Sequence, residues 1–255
     1  MKTKKIQILL FLLFTAMLLS ACTGNLTGSS WPGVSATDDT IYVANTNTVY
    51  AVRASDGQQI WKFPAKASQT MYYAAPVVAN GHILVGDYKN VLHALDVNTG
   101  SELWKFEGAG GRYIASPLVL DSTILAPNGD GTLYALDLNG NLLWKFETKR
   151  GLWSQPVSDG KMIYISSMDH QLYALSLTGD LAWSVELGGS LVYPPTQSPD
   201  GVLYVTTIAH KLFSIDSSNG NILWEKGFDK GLWSQPAYHE GARNDHQKRK
   251  ETGRA

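Results

Sequence analysis

His170 and His210, together with Asp87, Asp130 and Asp169, are the side chains whose types could hold a metal ion or move a proton. Each stands in a short polar turn between apolar runs. Aligned on the aromatic that follows, Tyr173 or Phe213, the two histidines share one position with Asn47, Asn90 and Gly131. Asn, Gly and His are the residues that enter left-handed backbone most readily. That position therefore predicts tight-turn residues, and the three aspartates read as solvated turn formers. Asn128-Gly129-Asp130-Gly131 has the opening of a calcium loop but lacks the distal glutamate such a loop needs. No nucleophile stands beside a base, and no glycine-rich loop is set to cradle phosphate. The expected complement is no catalytic residue, no metal and no cofactor.

A second group of side chains offers binding rather than bond-making. Gln69-Thr70-Met71-Tyr72-Tyr73, Gly111-Arg112-Tyr113, Lys149-Arg150-Gly151-Leu152-Trp153 and Lys230-Gly231-Leu232-Trp233 each place polar or basic residues beside an aromatic, a few residues before a proline. Tyr, Trp and Arg are the side chains most enriched at binding hot spots. Tyr73, Arg112, Tyr113, Arg150, Trp153, Lys230 and Trp233 are accordingly the candidate partner-binding residues. The same aromatics would also serve as wedges between packed units, and composition alone leaves both roles open.

What must position these loops is a repeat. Trp61, Trp104, Trp144, Trp183 and Trp224 lie 43, 40, 39 and 41 residues apart, each with a glycine four positions before it: Gly57, Gly100, Gly140, Gly179 and Gly220. Within a unit, an apolar run such as Ile124-Leu125-Ala126 precedes an alternating run such as Thr132-Leu133-Tyr134-Ala135-Leu136-Asp137. An Asn139-Gly140 turn then leads into Leu142-Leu143-Trp144-Lys145-Phe146. Such turns need positive φ, which glycine supplies. Prolines 32, 76, 117, 156, 195 and 236 recur at the same period and read as the first residue of each innermost strand, where no ladder hydrogen bond is lost. A period near 40 with several β runs per unit is the pattern of propeller blades, because one small sheet cannot bury both its faces alone. The fold class is all-β: a propeller of four-stranded blades, five of them and the start of a sixth, over residues 31–239. The five tryptophans are then structural docking residues between blades.

Ala94-Leu95-Asp96 with Gly100 and Trp104, repeated as Ala135-Leu136-Asp137 with Gly140 and Trp144, resembles the tryptophan-docking motif of the PQQ-like β-propeller repeat family. Arg53 and Ser176 depart from the motif's aspartate and Ser214 from its alanine. The resemblance implies a ring of seven or eight blades, so the chain reads as a truncated member. Among lipoproteins it implies a non-catalytic scaffold of outer-membrane β-barrel assembly. Arg150 to Pro156 resembles the inter-blade loop by which such a scaffold engages its barrel-forming partner. The family also implies rival readings: a PQQ-dependent enzyme, a carbohydrate-active propeller, or a sugar-binding or sensor module. Its quinoprotein enzymes carry a vicinal cysteine pair, whereas this chain has one cysteine.

That cysteine belongs to the N-terminal segment. Lys2, Lys4 and Lys5 precede the apolar run Ile6 to Leu19, and Leu19-Ser20-Ala21-Cys22 resembles the lipobox of bacterial lipoproteins. Residues 1–21 read as a signal peptide, Cys22 as a lipidated mature N-terminus, 22–30 as a flexible tether and 240–255 as a polar disordered tail. The expected location is the cell envelope: the periplasmic side of the outer membrane if the host has one, otherwise the outer face of the plasma membrane. The expected contacts are the membrane through its anchor and a protein partner in the envelope. From 22 to 239 there are 13 basic against 19 acidic side chains, a net charge of −6, which argues against nucleic acid.

Overall fold

The computed structural model describes residues 33–66 and 68–239. The proposed signal segment, Cys22, the tether, Pro32 and the tail from 240 onward lie outside the described residues. Apolar second and third strands, buried on both faces, and fourth strands of alternating exposure generate five antiparallel meanders of four strands each. The first blade comprises β1 (Gly33–Ala36), β2 (Thr40–Asn45), β3 (Thr48–Arg53) and β4 (Gln59–Phe63). Next come β5 (Val77–Ala79), β6 (His82–Gly86), β7 (Leu92–Asp96) and β8 (Glu102–Phe106). The third is β9 (Leu118–Leu120), β10 (Thr123–Pro127), β11 (Thr132–Leu136) and β12 (Leu142–Glu147). The fourth is β13 (Val157–Ser158), β14 (Met162–Ser166), β15 (Gln171–Ser176) and β16 (Leu181–Glu186). Last are β17 (Thr196–Gln197), β18 (Val202–Thr207), β19 (Lys211–Asp216) and β20 (Ile222–Gly227). β5, β9, β13 and β17 start directly after Pro76, Pro117, Pro156 and Pro195, so the missing proline N–H breaks no ladder. Residues 237–239 form no strand, and Tyr238 stacks on Tyr204 with ring centroids 6.0 Å apart.

The second and third strands of each blade carry the core. Ile83, Leu84, Val85, Leu92, Ala94 and Leu95 are buried in blade two, and their counterparts are buried in blades three and four. Each fourth strand is largely exposed and is bulged against the third. The register slips between Ala51 and Val52, Ala94 and Leu95, Ala135 and Leu136, Ala174 and Leu175, and Ser214 and Ile215. The residue opposite each tryptophan is Ala51, Ala94, Ala135, Ala174 or Ser214. A small residue there leaves room for the indole. The bulge sets an extra residue outside the ladder just before it, at Ile60, Leu103 and Leu143 for example, and these stand exposed.

Blades are joined by these indoles, and the joint runs forward along the chain. Trp61 lies over Gly100 of the next blade and donates its Nε1–H to the Val97 carbonyl at 3.0 Å. Trp104 lies over Gly140 with a 2.8 Å bond to Leu138, and Trp183 over Gly220 with a 3.1 Å bond to Ser217. Trp144 covers Gly179 in the same way. A Cβ on Gly100 would stand 2.5 Å from the Trp61 ring, so these glycines are needed for close approach as well as for positive φ. The motif aspartate builds the platform from below. Asp137 accepts the backbone N–H groups of Asn139 and Asn141 at 2.9 and 2.8 Å. The Asn141 side chain and then those backbone donors hold its carboxyl below the ordinary range. In blade one Arg53 takes the aspartate's place, and Asp56 accepts the Gln58 N–H instead while pairing with the Arg53 guanidinium at 2.8 Å.

Candidate functional site

In a four-stranded meander, turns alternate between the two ends of the sheet. The turn between strands two and three and the connection to the next blade therefore share one face, and the tryptophan-covered hairpins share the other. Hydrogen bonds stitch the first face together. Tyr72 N–H donates to the Thr46 carbonyl at 2.7 Å, Tyr113 to Asp87 at 3.0 Å, Leu152 to Asn128 at 3.0 Å and Leu191 to Ser167 at 3.2 Å. Each of these residues stands four before a proline, and each is buried. They are the wedges between blades. Counting from the proline separates them from the next residue, which points outward at Trp153 and Trp233 and is half-buried at Tyr73.

This count divides the expected binding residues. Tyr113 is a wedge: it is 1% exposed and packs in a cluster with Leu84, Leu92 and Ile124 from the two blades it separates. A Cβ on Gly86 would stand 2.2 Å from the Tyr113 Cβ, and burial pushes its phenol upward. It is not exposed, and Ile114, half-buried, stands at the position of Trp153 in that loop. Trp153 and Trp233 are exposed, the latter at 75%, and both fold over a glycine two residues earlier, Gly151 and Gly231. Tyr73 stacks against Tyr88 with centroids 4.4 Å apart, the Arg112 guanidinium lies 5.2 Å from the Tyr88 ring, and Tyr73 Oη lies 3.3 Å from Met71 Sδ. Tyr73, Tyr88, Arg112 and exposed Met71 thus make one aromatic and cationic patch. Sequence reasoning passed over Tyr88; its signal is a turn position where blades three and four carry Gly129 and Met168.

The turn aspartates of this face are already occupied. Asp130 accepts Gly110 N–H at 2.7 Å, Thr132 N–H at 2.8 Å and the Tyr134 hydroxyl at 2.8 Å. Asp169 accepts Lys149 N–H, Gln171 N–H and the Tyr173 hydroxyl. Asp87 accepts Lys89 and Val91 N–H and the Thr70 hydroxyl. Burial raises the Asp87 carboxyl, yet the hydrogen bonds outweigh it and the group lies below its ordinary range. Asn128 is likewise used, donating to the Gly111 carbonyl at 2.7 Å. Among the described residues no group of three or more His, Cys, Asp or Glu side chains could hold a metal ion. The cations are spent differently. Lys89, Arg112, Lys149, Arg150 and Lys230 are exposed, and among the described residues none pairs with a carboxylate.

Asn90, Gly131, His170 and His210 have φ of 71°, 92°, 75° and 65°; in blade one the left-handed residue is Thr46 rather than Asn47. The β2 to β3 connection there has two residues, which moves the turn by one position. His93 escaped the sequence reading. It is buried, with Nδ1 2.6 Å from Glu102 and Nε2 3.3 Å from Asp87, and the Phe63 and Tyr72 rings stand edge-on to it. It occupies the position of Tyr134 and Tyr173 in its own blade and ties β8 to the turn after β6.

The family model described as outer membrane protein assembly factor BamB matches residues 22–147 and 129–230. The protein of that name from Xanthomonas campestris pv. campestris is 31% identical over 112 residues, which cover 44% of this chain and 27% of the relative. The Yersinia pestis protein of the same name is 25% identical over 225 residues, covering 77% of this chain and 55% of the relative. The chain thus spans about half, or less, of the length of these curated relatives. The crystal structure of BamB from Moraxella catarrhalis superimposes with a TM-score of 0.65 at 22% identity, covering 78% of this chain and 62% of that one, a likeness of fold. Five tryptophan-jointed blades and a match over most of their length place the chain in the PQQ-like β-propeller repeat family of the outer membrane protein assembly factor BamB.

Proposed function

We propose that the protein is a lipid-anchored, extracytoplasmic binding scaffold that assists outer-membrane protein assembly, with the inter-blade loops as its contact face. The observation that carries this reading is the set of exposed cations, none paired with a carboxylate among the described residues, that stands with aromatic rings on that face. The turn aspartates Asp87, Asp130 and Asp169 are consumed as caps for backbone N–H groups, while Lys89, Arg112, Lys149, Arg150 and Lys230 remain exposed near half-buried Tyr73 and exposed Trp153 and Trp233. Trp and Tyr rings lose little conformational entropy on binding, and Arg is enriched with them at hot spots. The names of the curated relatives support the assembly role. The N-terminal pattern ending at Cys22 supports the anchor.

The charge-reversal set Arg112→Glu, Arg150→Glu and Lys230→Glu should weaken capture of the host's barrel-forming assembly protein about tenfold or more, with an unchanged unfolding midpoint. In the same preparation, Cys22→Ser should move the protein from the membrane fraction to the soluble one. Undiminished capture by the folded triple variant contradicts the contact face, and unchanged fractionation of Cys22→Ser contradicts the anchor.

A further inference from the structure

Three segments meet on the loop face around the turn that follows β6. The incoming loop brings Met71 and Tyr73, the turn brings Tyr88 and Lys89, and the next loop brings Arg112. Backbone bonds fix them to one another: Tyr88 N–H donates to the Met71 carbonyl at 2.9 Å and Tyr113 N–H to the Asp87 carbonyl at 3.0 Å. Asp87 holds the turn from beneath. It accepts the Thr70 hydroxyl at 2.8 Å and the N–H groups of Lys89 and Val91 at 2.9 and 2.8 Å, and it is only 3% exposed. A surface fixed in this way has little freedom left to lose when a ligand covers it.

Tyr73 and Tyr88 stand with ring centroids 4.4 Å apart, and the Arg112 guanidinium lies over Tyr88, 5.2 Å from its centroid. A guanidinium held by its face against a ring keeps its edge donors free, and their fork matches a carboxylate. Arg112 and Lys89 are exposed, and among the described residues neither pairs with a carboxylate. Met71, also exposed, extends the shelf on the side of Tyr73. The later blades make the same turn-to-loop backbone bond from Gly129, Met168 and Ile208, so the ring at this position belongs to blade two and not to the repeat.

We propose that this patch is a subsite for an acidic peptide segment that carries an aromatic side chain two residues from its carboxylate. The Arg112 fork takes the carboxylate, Lys89 adds positive charge to the same turn, and the ligand's ring lies on Tyr73 and Met71. Side chains two apart on an extended chain stand about 7 Å apart on one side, which matches the reach from Arg112 across Tyr88 to Tyr73. The acid is called for because the two exposed charges of the patch are both positive and unpaired. The ring is called for because offset aromatic pairs and sulfur contacts at a ring edge favour it over an aliphatic side chain. The inference rests on the loop-face reading and names the chemistry that the partner's segment presents at this point of the face.

The test titrates the full chain carrying Cys22→Ser, followed by NMR, with short blocked peptides containing Asp-Thr-Phe, Asn-Thr-Phe or Asp-Thr-Ala. The Asp-Thr-Phe peptide should bind with a Kd of about 1 mM or tighter and shift the side-chain signals of Tyr73, Tyr88 and Arg112. Replacing its acid by the amide, or its ring by a methyl group, should weaken binding about fivefold or more. Arg112→Gln should lower the affinity about tenfold and Arg112→Lys, which keeps the charge but loses the fork, about threefold, both with the parent's unfolding midpoint. Lys161→Gln, which removes an exposed cation elsewhere, should bind as the parent does. Equal binding of the acid and amide peptides overturns the proposal, as does full affinity in Arg112→Gln or the absence of any shift at about 10 mM peptide. So does binding to phosphatidylglycerol vesicles, lost in Arg112→Gln, in place of the peptides. No assembly protein enters the titration, so a failed peptide leaves the loop-face reading to its own capture test.

Discussion

Trp61→Ala should lower the free energy of unfolding by about 3–5 kcal/mol, the range for deleting a large buried aromatic, whereas Trp224→Ala should cost well under that. The two residues hold the same repeat position and face the same small cross-strand partner, Ala51 or Ser214. What differs is the blade in front. Trp61 gives its Nε1–H to Val97 and covers Gly100, so truncation opens a cavity at a joint and leaves a carbonyl without its donor. Trp224 has no such cover among the described residues. For a domain of this size each kcal/mol moves the thermal midpoint by about 2–4 °C, so calorimetry separates the two variants easily. Equal losses would show that the indole acts within its own blade and not as a joint.

The second large effect distinguishes wedges from contacts in the loops. Tyr113→Ala should destabilise the fold by about 3–5 kcal/mol, because the ring is buried between Leu84 and Ile124 and seated against Gly86. Trp153→Ala, one position further along its own loop, should leave the midpoint nearly unchanged, since that ring stands exposed. Denaturant titration of both variants decides the matter. A stable Tyr113→Ala protein would return Tyr113 to the list of surface contacts.

The blade repeat was legible because the joint needs the same residue types every time: an indole, a small residue opposite it and a glycine in the hairpin. The direction of the joint was not. Gly100 stands four residues before Trp104, which reads as a local pair, but the ring it carries is Trp61 of the preceding blade. Composition at a fixed offset does not say which copy of a repeated residue makes the contact. A similar ambiguity hid the role of Tyr113. Its loop pairs a base with an aromatic as the others do, and only its distance from Pro117 reveals that it is the counterpart of Leu152 and not of Trp153. The three aspartates do sit in turns, but Asp87 is 3% exposed rather than solvated, and the stitch from one blade's turn to the incoming loop, as in Asp130 to Gly110, joins residues 20 apart and has no local signature. His93 and Tyr88 depart from what their repeat positions carry elsewhere, so the repeat gives them no signal.

On the proposed function, the loop face, and not the hairpin face, meets the envelope partner. A photo-reactive amino acid placed at Trp153, and in a separate strain at Leu142 on the exposed hairpin face, tests it in living cells. The expected result is an adduct with the barrel-forming assembly protein from position 153 that is absent from position 142 and fades when Arg112, Arg150 and Lys230 are reversed in charge. An adduct with that protein from position 142 and none from position 153 would contradict it.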